Sequence, residues 1–215
     1  AIQFAPEAIA RSNADILKDD ELRKEFIEIY SEQGKDEARN WINSSYGPFS
    51  EEELDHRMSR YGLNPCGEIL GNDFHCNLAE VHLNQIDPGN FEEQKKAFKA
   101  AALSVACLLN HEFEVERYRK SREYDPIVGV SFTGLFDFCV HAFGTPWLKW
   151  WEAGRPNSEE GKAFKEKEAK FLDSWRKIVK ETVWEYCDKH NLRRPNRCTT
   201  VQPAGTKSLL TGAAP

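Results

Sequence analysis

The feature that most constrains the fold of this chain is the alternation of strand patterns with long helix patterns. Short apolar or alternating runs typical of strands occur at 79–84, 127–132 and 197–202. Long stretches with apolar residues at helical spacing separate them, at 90–110 and 158–191. Because parallel strands need long crossover connections, which are usually helical, this order predicts an α/β fold with parallel strands.

Shorter helices are predicted around these elements. Apolar residues keep helical spacing over 20–34, and Ser50 followed by Glu53 is a capping-box pattern that opens a helix ending near Gly62. A short helix is predicted at 135–143. The second half of the 90–110 helix is apolar nearly all round, which predicts that this helix is deeply buried.

Composition excludes several classes of protein. The 215 residues carry a net charge of −6, so the chain as a whole indicates no basic face, which argues against nucleic-acid binding. No apolar run approaches the roughly 20 residues that span a bilayer, and no signal-peptide pattern opens the chain. We therefore expect a cytoplasmic protein with no membrane partner. The first residue is not Met, so we expect a chain that begins mid-protein or after processing.

The six cysteines do not resemble the disulfide framework of a small secreted domain, so reduced thiols are expected. Cys107 and Cys139 lie in apolar runs, and Cys187 lies in a helical pattern. Cysteine is often a small buried hydrophobic residue, so all three are predicted to be core residues. Cys198, on the last predicted strand, is also interpreted as a packing residue, with a functional role as the alternative.

The segment NPCGEI, at 64–69, places an amide, a thiol and a carboxylate on alternate residues. If it is extended, Asn64, Cys66 and Glu68 share one face. A carboxylate raises the pKa of a neighbouring thiol, so this setting does not favour a thiolate nucleophile. It is compatible with a neutral Cys66 thiol that loses a hydrogen atom, with Glu68 accepting a proton from a substrate hydroxyl and Asn64 holding a second hydroxyl.

A metal site is an alternative interpretation of the same region. Cys66, His75, Cys76 and His82 offer four possible ligands, but their spacing matches no common zinc pattern. A Cys/His metal-binding module is therefore kept as a minor alternative.

The segment VQPAGTKS predicts a strand end followed by a turn and a helix start. Exposed backbone N–H groups in such a turn favour an anion, and glycine allows close approach. An ordinary turn with a capping hydroxyl is the alternative. The candidate anion-binding residues are Pro203, Ala204, Gly205, Thr206, Lys207 and Ser208.

Three co-ordered motifs give the chain a family resemblance. NPCGEI, then FHCNLAEVHLN at 74–84, then VQPAGTKSLLTG at 201–212, resemble the catalytic subunit of ribonucleotide reductases. The resemblance is to the adenosylcobalamin-dependent class II enzymes, in the monomeric ribonucleoside-triphosphate reductase branch. Gly67 and the continuation FHCNLAEVHLN favour this branch over the iron-dependent class I enzymes. The resemblance runs collinearly from about residue 60 to the end.

The resemblance implies a role for each motif residue. Cys66 would carry the thiyl radical that abstracts the 3′ hydrogen of the ribose, and Glu68 would deprotonate the 3′ hydroxyl. Asn64 would hydrogen-bond the sugar hydroxyls, and Cys76 would be one of two reducing thiols. The turn at 203–208 would bind the substrate phosphates.

The resemblance also implies a fold, a cofactor and partners. The fold is a ten-stranded α/β barrel with the radical cysteine on an interior loop, and the cofactor is adenosylcobalamin. The chain would be one partial catalytic barrel domain over 1–215, with a helical lead-in over about 1–60 and the radical-cysteine loop to the phosphate turn over 61–215.

No cysteine precedes Cys66, and no further cysteine pair follows the phosphate turn. We therefore expect a fragment or one piece of a split enzyme. Its partners would be a ribonucleotide, a complementary chain that supplies the second reducing cysteine, and a thioredoxin-type reductant. A non-catalytic scaffold or binding fragment is the alternative. The tryptophan-rich run 147–151 fits none of the motifs and is interpreted as packing, with a contact to a partner or to the corrin as the alternative.

Overall fold

Helices and two small sheets make up the part of the chain that the computed structural model describes, residues 6–58, 62–64, 69–71 and 73–214. The helices are α1 (Pro6–Ser12), α2 (Asp20–Gln33), α3 (Lys35–Tyr46), α4 (Glu51–Arg57), α5 (Phe91–Cys107), α6 (Glu116–Tyr124), α7 (Leu135–Glu152), α8 (Glu159–Lys189) and α9 (Gly205–Ser208). The strands are β1 (Gly62–Leu63), β2 (Leu70–Gly71), β3 (Leu78–His82), β4 (Ile127–Thr133) and β5 (Arg197–Thr199). The α/β class is confirmed.

The chain divides into two compact units, one within residues 1–75 and 112–127 and the other within 76–111 and 128–215. The single partial barrel domain over 1–215 stays a prediction. Within the described ranges, no helix combines the length and the apolar character that a membrane-spanning segment requires.

The first unit packs its helices around Phe26 and Ile42, both fully buried. The predicted helix over 20–34 is confirmed as α2. The capping box is also confirmed, since the Glu53 N–H donates to Ser50 Oγ at 3.1 Å at the start of α4. The predicted end of α4 near Gly62 is wrong, because α4 ends at Arg57 and Gly62 instead pairs with Gly71 in an antiparallel ladder.

The second unit is built on a three-stranded sheet with the order β3-β4-β5. β3 and β4 are parallel, and their register places Ala79 beside Val130 and Glu80 beside Ser131. The three predicted strands and the parallel arrangement of the first two are therefore confirmed. α5 is the crossover helix that follows β3, and it packs against both β3 and α8.

Capping residues set the starts of the long helices in this unit. Asn90 Oδ1 accepts from the Glu93 N–H at 3.1 Å before α5. Ser158 Oγ accepts from the Gly161 N–H at 3.0 Å before α8. Both starts agree with the prediction, because a short polar side chain satisfies an N–H group that has no partner inside the helix.

α5 buries one face and exposes the other, so the prediction that this helix is deeply buried is wrong. Phe98, Ala102, Val105 and Ala106 face the core, with Phe98 stacked on Trp175 at a centroid distance of 5.0 Å. The buried residues recur at helical spacing along one face of α5. Cys107 lies off that face, so it is exposed instead of buried.

α7 runs beyond the predicted 135–143 segment, to Glu152, with a kink at Gly144. Gly144 takes φ 73°, which glycine adopts without the steric penalty of other residues. The continuation carries Trp147 and Trp150, both buried. The Trp147 Nε1–H donates to Glu168 Oε1 at 2.7 Å. Packing therefore accounts for these two tryptophans.

Candidate functional site

Two of the four predicted catalytic residues, Cys66 and Glu68, lie at 65–68, outside the described residues. The backbone on both sides of this segment is described. β1 and β2 pair antiparallel across it, with Leu63 opposite Leu70. The proposed roles of Cys66 and Glu68 therefore stay predictions.

Asn64 and Ile69 are joined by two hydrogen bonds. The Asn64 N–H donates to the Ile69 carbonyl at 3.0 Å, and the Ile69 N–H donates to Asn64 Oδ1, also at 3.0 Å. The half-buried Asn64 side chain thus extends the β1–β2 ladder by one step. Its side-chain oxygen has a structural partner, and its contact with a sugar hydroxyl stays a prediction.

Cys76 lies just before β3, and its side chain is exposed. The next residue extends the parallel ladder, because the Gly129 N–H donates to the Asn77 carbonyl at 2.8 Å. Cys76 forms no disulfide with another described residue. An exposed thiol at the end of an ordered strand is accessible for disulfide exchange, which agrees with the predicted reducing role without testing it.

Three other described cysteines are buried: Cys139, Cys187 and Cys198. Burial raises the pKa of Cys139 and of Cys198 to about 12 and that of Cys187 to about 11. Cys198 also lies 3.5 Å from the Pro195 carbonyl, to which its thiol donates. All three are neutral at physiological pH, and their burial supports the interpretation as packing residues.

The described residues contain no cluster of three or more His, Cys, Asp or Glu side chains that could hold a metal ion. The ring of His75 packs edge-on against Phe113 at 5.1 Å, and His82 Nδ1 lies 2.8 Å from Thr211 Oγ1. These contacts engage two of the four suggested ligands, and Cys66 lies outside the described residues.

The predicted phosphate turn contains both exposed and buried residues. Gly205 and Thr206 are exposed, whereas Ala204 and Ser208 are buried. Ser208 Oγ donates to the Gly205 carbonyl at 2.8 Å, so that hydroxyl has a partner within the turn. Ala204 precedes α9 and has no side chain that can cap it. First-turn N–H groups have no partner inside their helix, so those of 205–207 are the donors available to an anion.

Lys207 is tied to a buried carboxylate that the sequence analysis missed. Its Nζ lies 2.5 Å from Glu80 Oε2, and the Glu80 side chain is only 4% exposed whereas that of Lys207 is 43% exposed. Gln202 Nε2 donates to the same oxygen. Glu80 Oε1 is buried with no hydrogen-bond partner in the described chain. The Gln202 N–H in turn donates to Ser131 Oγ at 3.0 Å, which ties the turn to β4.

A second set of contacts holds the segment after the turn against the end of β3. Thr211 Oγ1 donates to Asn84 Oδ1 at 3.2 Å, and Asn84 Nδ2 donates to the Thr211 carbonyl at 2.9 Å. Because the Thr211 hydroxyl hydrogen is used on Asn84, His82 Nδ1 must be the donor in its contact with Thr211. The third motif is therefore joined to the second by these contacts.

One signal in the sequence could have identified Glu80. β3 reads Leu78-Ala79-Glu80-Val81-His82, so Glu80 and His82 share one face of the strand and Ala79 and Val81 share the other. The apolar face packs on α5. The polar face contacts the segment 202–211. No local sequence pattern could have shown this contact.

Comparison with known proteins gives similarity over part of the chain. No family model matches it. An adenosylcobalamin-dependent ribonucleoside-triphosphate reductase from Lactobacillus gasseri is 31% identical over 159 residues, 71% of this chain and 21% of that protein. The enzyme of the same name from Lactobacillus acidophilus is 28% identical over 191 residues, 83% of this chain and 24% of that protein.

A solved structure shows a related fold. A B12-dependent class II ribonucleotide reductase superposes with a TM-score of 0.53 at 24% identity, over 71% of this chain and 22% of that one. The predicted resemblance to adenosylcobalamin-dependent ribonucleoside-triphosphate reductases is confirmed. The chain spans between about a fifth and a quarter of the length of the curated relatives it matches.

Proposed function

We propose that this chain is a piece of the catalytic subunit of an adenosylcobalamin-dependent ribonucleoside-triphosphate reductase. The observation that carries the proposal is the 31% identity over 159 residues to an enzyme of that name. The three co-ordered motifs of the sequence agree with it. The class II structural neighbour supports the fold. The ten-stranded barrel, with the radical cysteine on a loop inside it, is part of the proposal, and β3, β4 and β5 would be three of its strands.

Cys66 starts the reaction in this proposal. Its sulfur radical takes the 3′ hydrogen atom of the ribose and becomes a thiol, which leaves the radical on the sugar carbon. Glu68 takes the proton of the 3′ hydroxyl, and Asn64 orients the hydroxyls. The 2′ oxygen leaves as water, so two electrons must enter. Cys76 and a second thiol supply these two electrons together with their two protons and end as a disulfide. The product radical takes a hydrogen atom back from the Cys66 thiol, which becomes the sulfur radical again.

Lys207 and the N–H groups of 205–207 would hold the substrate phosphates. An ammonium has three donors, and Glu80 occupies one of those of Lys207. The remaining donors lie on a side chain that is 43% exposed, within reach of an anion. Pro203, Ala204 and Ser208 would shape the turn, since Ser208 already donates to Gly205.

Adenosylcobalamin is proposed because the relatives are named for it, and it would supply radical chemistry that side chains cannot. The described residues do not identify its site. The described cavity between α7 and α8 encloses about 430 Å³ within mostly apolar walls. A corrin with its amide side chains is larger and needs many polar partners. We therefore assign no described residue to the cofactor.

The chain would need further partners for turnover. A complementary segment would bring the remaining strands and the second reducing cysteine, and a thioredoxin-type protein would reduce the disulfide. Under this proposal the 215 residues alone reduce no nucleotide. A scaffold fragment that keeps the motifs without turnover is the alternative proposal.

The test is a reductase assay of the chain alone and of the chain together with the missing segment. We expect deoxynucleotide formation in the second case only, dependent on adenosylcobalamin and a dithiol. Turnover by the chain alone would contradict the proposal that the chain is one piece of a catalytic subunit. No turnover in the assembled protein, together with unimpaired nucleotide binding, would favour the scaffold.

A further inference from the structure

A buried carboxylate on β3 holds the turn at 203–208. The Glu80 side chain is only 4% exposed, and in the parallel ladder Glu80 lies beside Ser131 of β4. A carboxylate at this depth is unfavourable unless donors or a cation compensate its charge. Glu80 Oε1 has no hydrogen-bond partner in the described chain, so the contacts of Oε2 supply this compensation.

One residue before the turn and one residue within it share Glu80 Oε2. Gln202 Nε2 donates to this oxygen, and Lys207 Nζ lies 2.5 Å from it. The Gln202 N–H also donates to Ser131 Oγ at 3.0 Å. Gln202 is thus fixed to β3 by its side chain and to β4 by its backbone. The carboxylate that receives Lys207 is therefore itself held in place by the sheet.

Lys207 connects this buried group to solvent. Its side chain is 43% exposed, and its contact with Glu80 uses one of the three ammonium donors, which leaves two. A lysine side chain has many rotamers, and binding an anion restricts them. A lysine that a fixed carboxylate already orients has lost much of this freedom before the anion binds, which favours binding.

We propose that Glu80 is a positioning residue for the substrate phosphates and acts through Lys207. It holds the ammonium by one donor and leaves the other two for the anion. This inference rests on the proposed function, in which the turn binds phosphates. Glu80 also repels an anion, but the ammonium in contact with Oε2 balances its charge, so we expect the positioning to dominate.

Glu80→Asp separates position from charge, because it keeps the carboxylate and withdraws it by one methylene group. The dissociation constant of a ribonucleoside triphosphate is measured on the complete protein that contains this chain, without adenosylcobalamin, so that it does not depend on turnover. We expect it to rise about tenfold, the lower end of the loss of one hydrogen bond to a charged group. Glu92→Asp, the same change at an exposed position of α5, is the matched control and should leave it within about twofold.

Two results with Glu80→Asp would overturn the inference. An unchanged dissociation constant would mean that the position of the carboxylate does not matter to the phosphates. A lower dissociation constant would mean that Glu80 competes with the phosphates for Lys207.

Glu80→Gln tests whether the effect passes through Lys207. Glutamine keeps the volume of glutamate and leaves no buried charge, so misfolding is less of a concern. Without its counter-charge Lys207 attracts the anion as a free cation, so the dissociation constant should rise more steeply with added KCl than in the wild type. In a Lys207→Met background, the same change should leave the constant and its salt dependence within about twofold.

Equal effects of Glu80→Gln in the two backgrounds would show that Glu80 acts on the turn without Lys207, against the inference. A Glu80→Gln protein with the salt dependence of the wild type would also contradict it.

Turnover separates this inference from the proposed function. In the assembled protein, Glu80→Asp should raise the Michaelis constant about tenfold and leave kcat within about twofold, because the phosphates bind alike in the ground and transition states. A lower kcat with an unchanged Michaelis constant would place Glu80 in the chemical step and overturn the inference. A wild type that binds the nucleotide and forms no deoxynucleotide would contradict the proposed function, and the dissociation constants would still test Glu80.

Discussion

Asn64 illustrates how a candidate catalytic side chain can also be structural. Its Oδ1 accepts from the Ile69 N–H, and its backbone N–H donates to the Ile69 carbonyl. A substitution at Asn64 would therefore disturb the β1–β2 ladder as well as any sugar contact. Loss of activity in an Asn64 variant would not by itself establish a role in substrate binding.

At the residue scale, the thiols divide into accessible and inaccessible groups. Iodoacetamide at pH 8 should label Cys76 and Cys107 in the native protein, because both are exposed. Cys139, Cys187 and Cys198 should stay unlabelled, since they are buried and their pKa values of about 11 to 12 keep them protonated. Mass spectrometry of the digested protein measures this. Rapid native labelling of Cys198 would contradict its burial.

The same pKa shifts predict a dependence of stability on pH. An unfolded cysteine has a pKa of about 8.5, so above that pH the unfolded state loses protons that the folded state keeps. The free energy of unfolding should therefore be unaffected by these thiols below about pH 8.5 and should fall as the pH rises toward 12.

Cys76→Ser tests the second catalytic thiol. Abstraction of the 3′ hydrogen does not use Cys76, so the variant should still consume substrate in the assembled protein. The reducing step should fail, and free base should accumulate in place of deoxynucleotide, as chromatography of the products would show. Cys107→Ser, at another exposed thiol, is the matched control. Normal multiple turnover of the Cys76 variant would make this residue structural.

At the element scale, Gln94 connects α5 to its surroundings. Its fully buried amide donates to the Asp87 and Pro88 carbonyls at 3.3 and 3.0 Å and accepts from Trp175 Nε1–H at 3.0 Å. Gln94→Leu would leave the buried Trp175 Nε1–H without an acceptor, which costs about 1–3 kcal/mol, and would remove the donor to the partly buried Pro88 carbonyl. We expect the free energy of unfolding to fall by about 1–3 kcal/mol in denaturant titration. Lys95→Leu, at the exposed neighbouring position, should change it by less than 0.5 kcal/mol.

The turn before α9 carries the prediction about substrate phosphates. A Cβ added at Gly205 would meet no atom within 4 Å, so Gly205→Ala and Gly205→Val should fold normally. If phosphates approach this backbone, affinity for a ribonucleoside triphosphate should fall with side-chain size, by one to two decades for valine. That range corresponds to losing one charge-assisted hydrogen bond, about 1.5–3 kcal/mol. Unchanged Michaelis constants in both variants would argue that the substrate binds elsewhere.

Elements with strong local signals were predictable from the sequence. α2, α5 and α8 have capping residues and apolar periodicity, and β3 and β4 have short apolar or alternating runs. The predictions failed where the structure depends on contacts with other parts of the chain. α4 ends at Arg57, before the strand that pairs Gly62 with Gly71, and the single packing face of α5 exposes Cys107. The Glu80–Lys207 pair joins residues far apart in the chain, so no local pattern contains it.

At the scale of the whole molecule, the described sheet is small and exposes edges. β3 and β5 are the outer strands of the three-stranded sheet, and Leu209 and Leu210 are 78% and 80% exposed. Under the proposed function, the remaining strands of the barrel would pair with these edges and cover the apolar side chains. The partial coverage of the relatives agrees with this proposal.

The most direct test of the central proposal is deoxynucleotide formation by the assembled protein with Cys66→Ser, in the presence of adenosylcobalamin and a dithiol. A serine O–H bond is too strong to replace the S–H bond, so the variant should bind nucleotide as the wild type does and form no deoxynucleotide. Cys107→Ser, measured alongside, should retain wild-type turnover. Measurable deoxynucleotide formation by the Cys66→Ser protein would contradict the assignment of the radical to this residue.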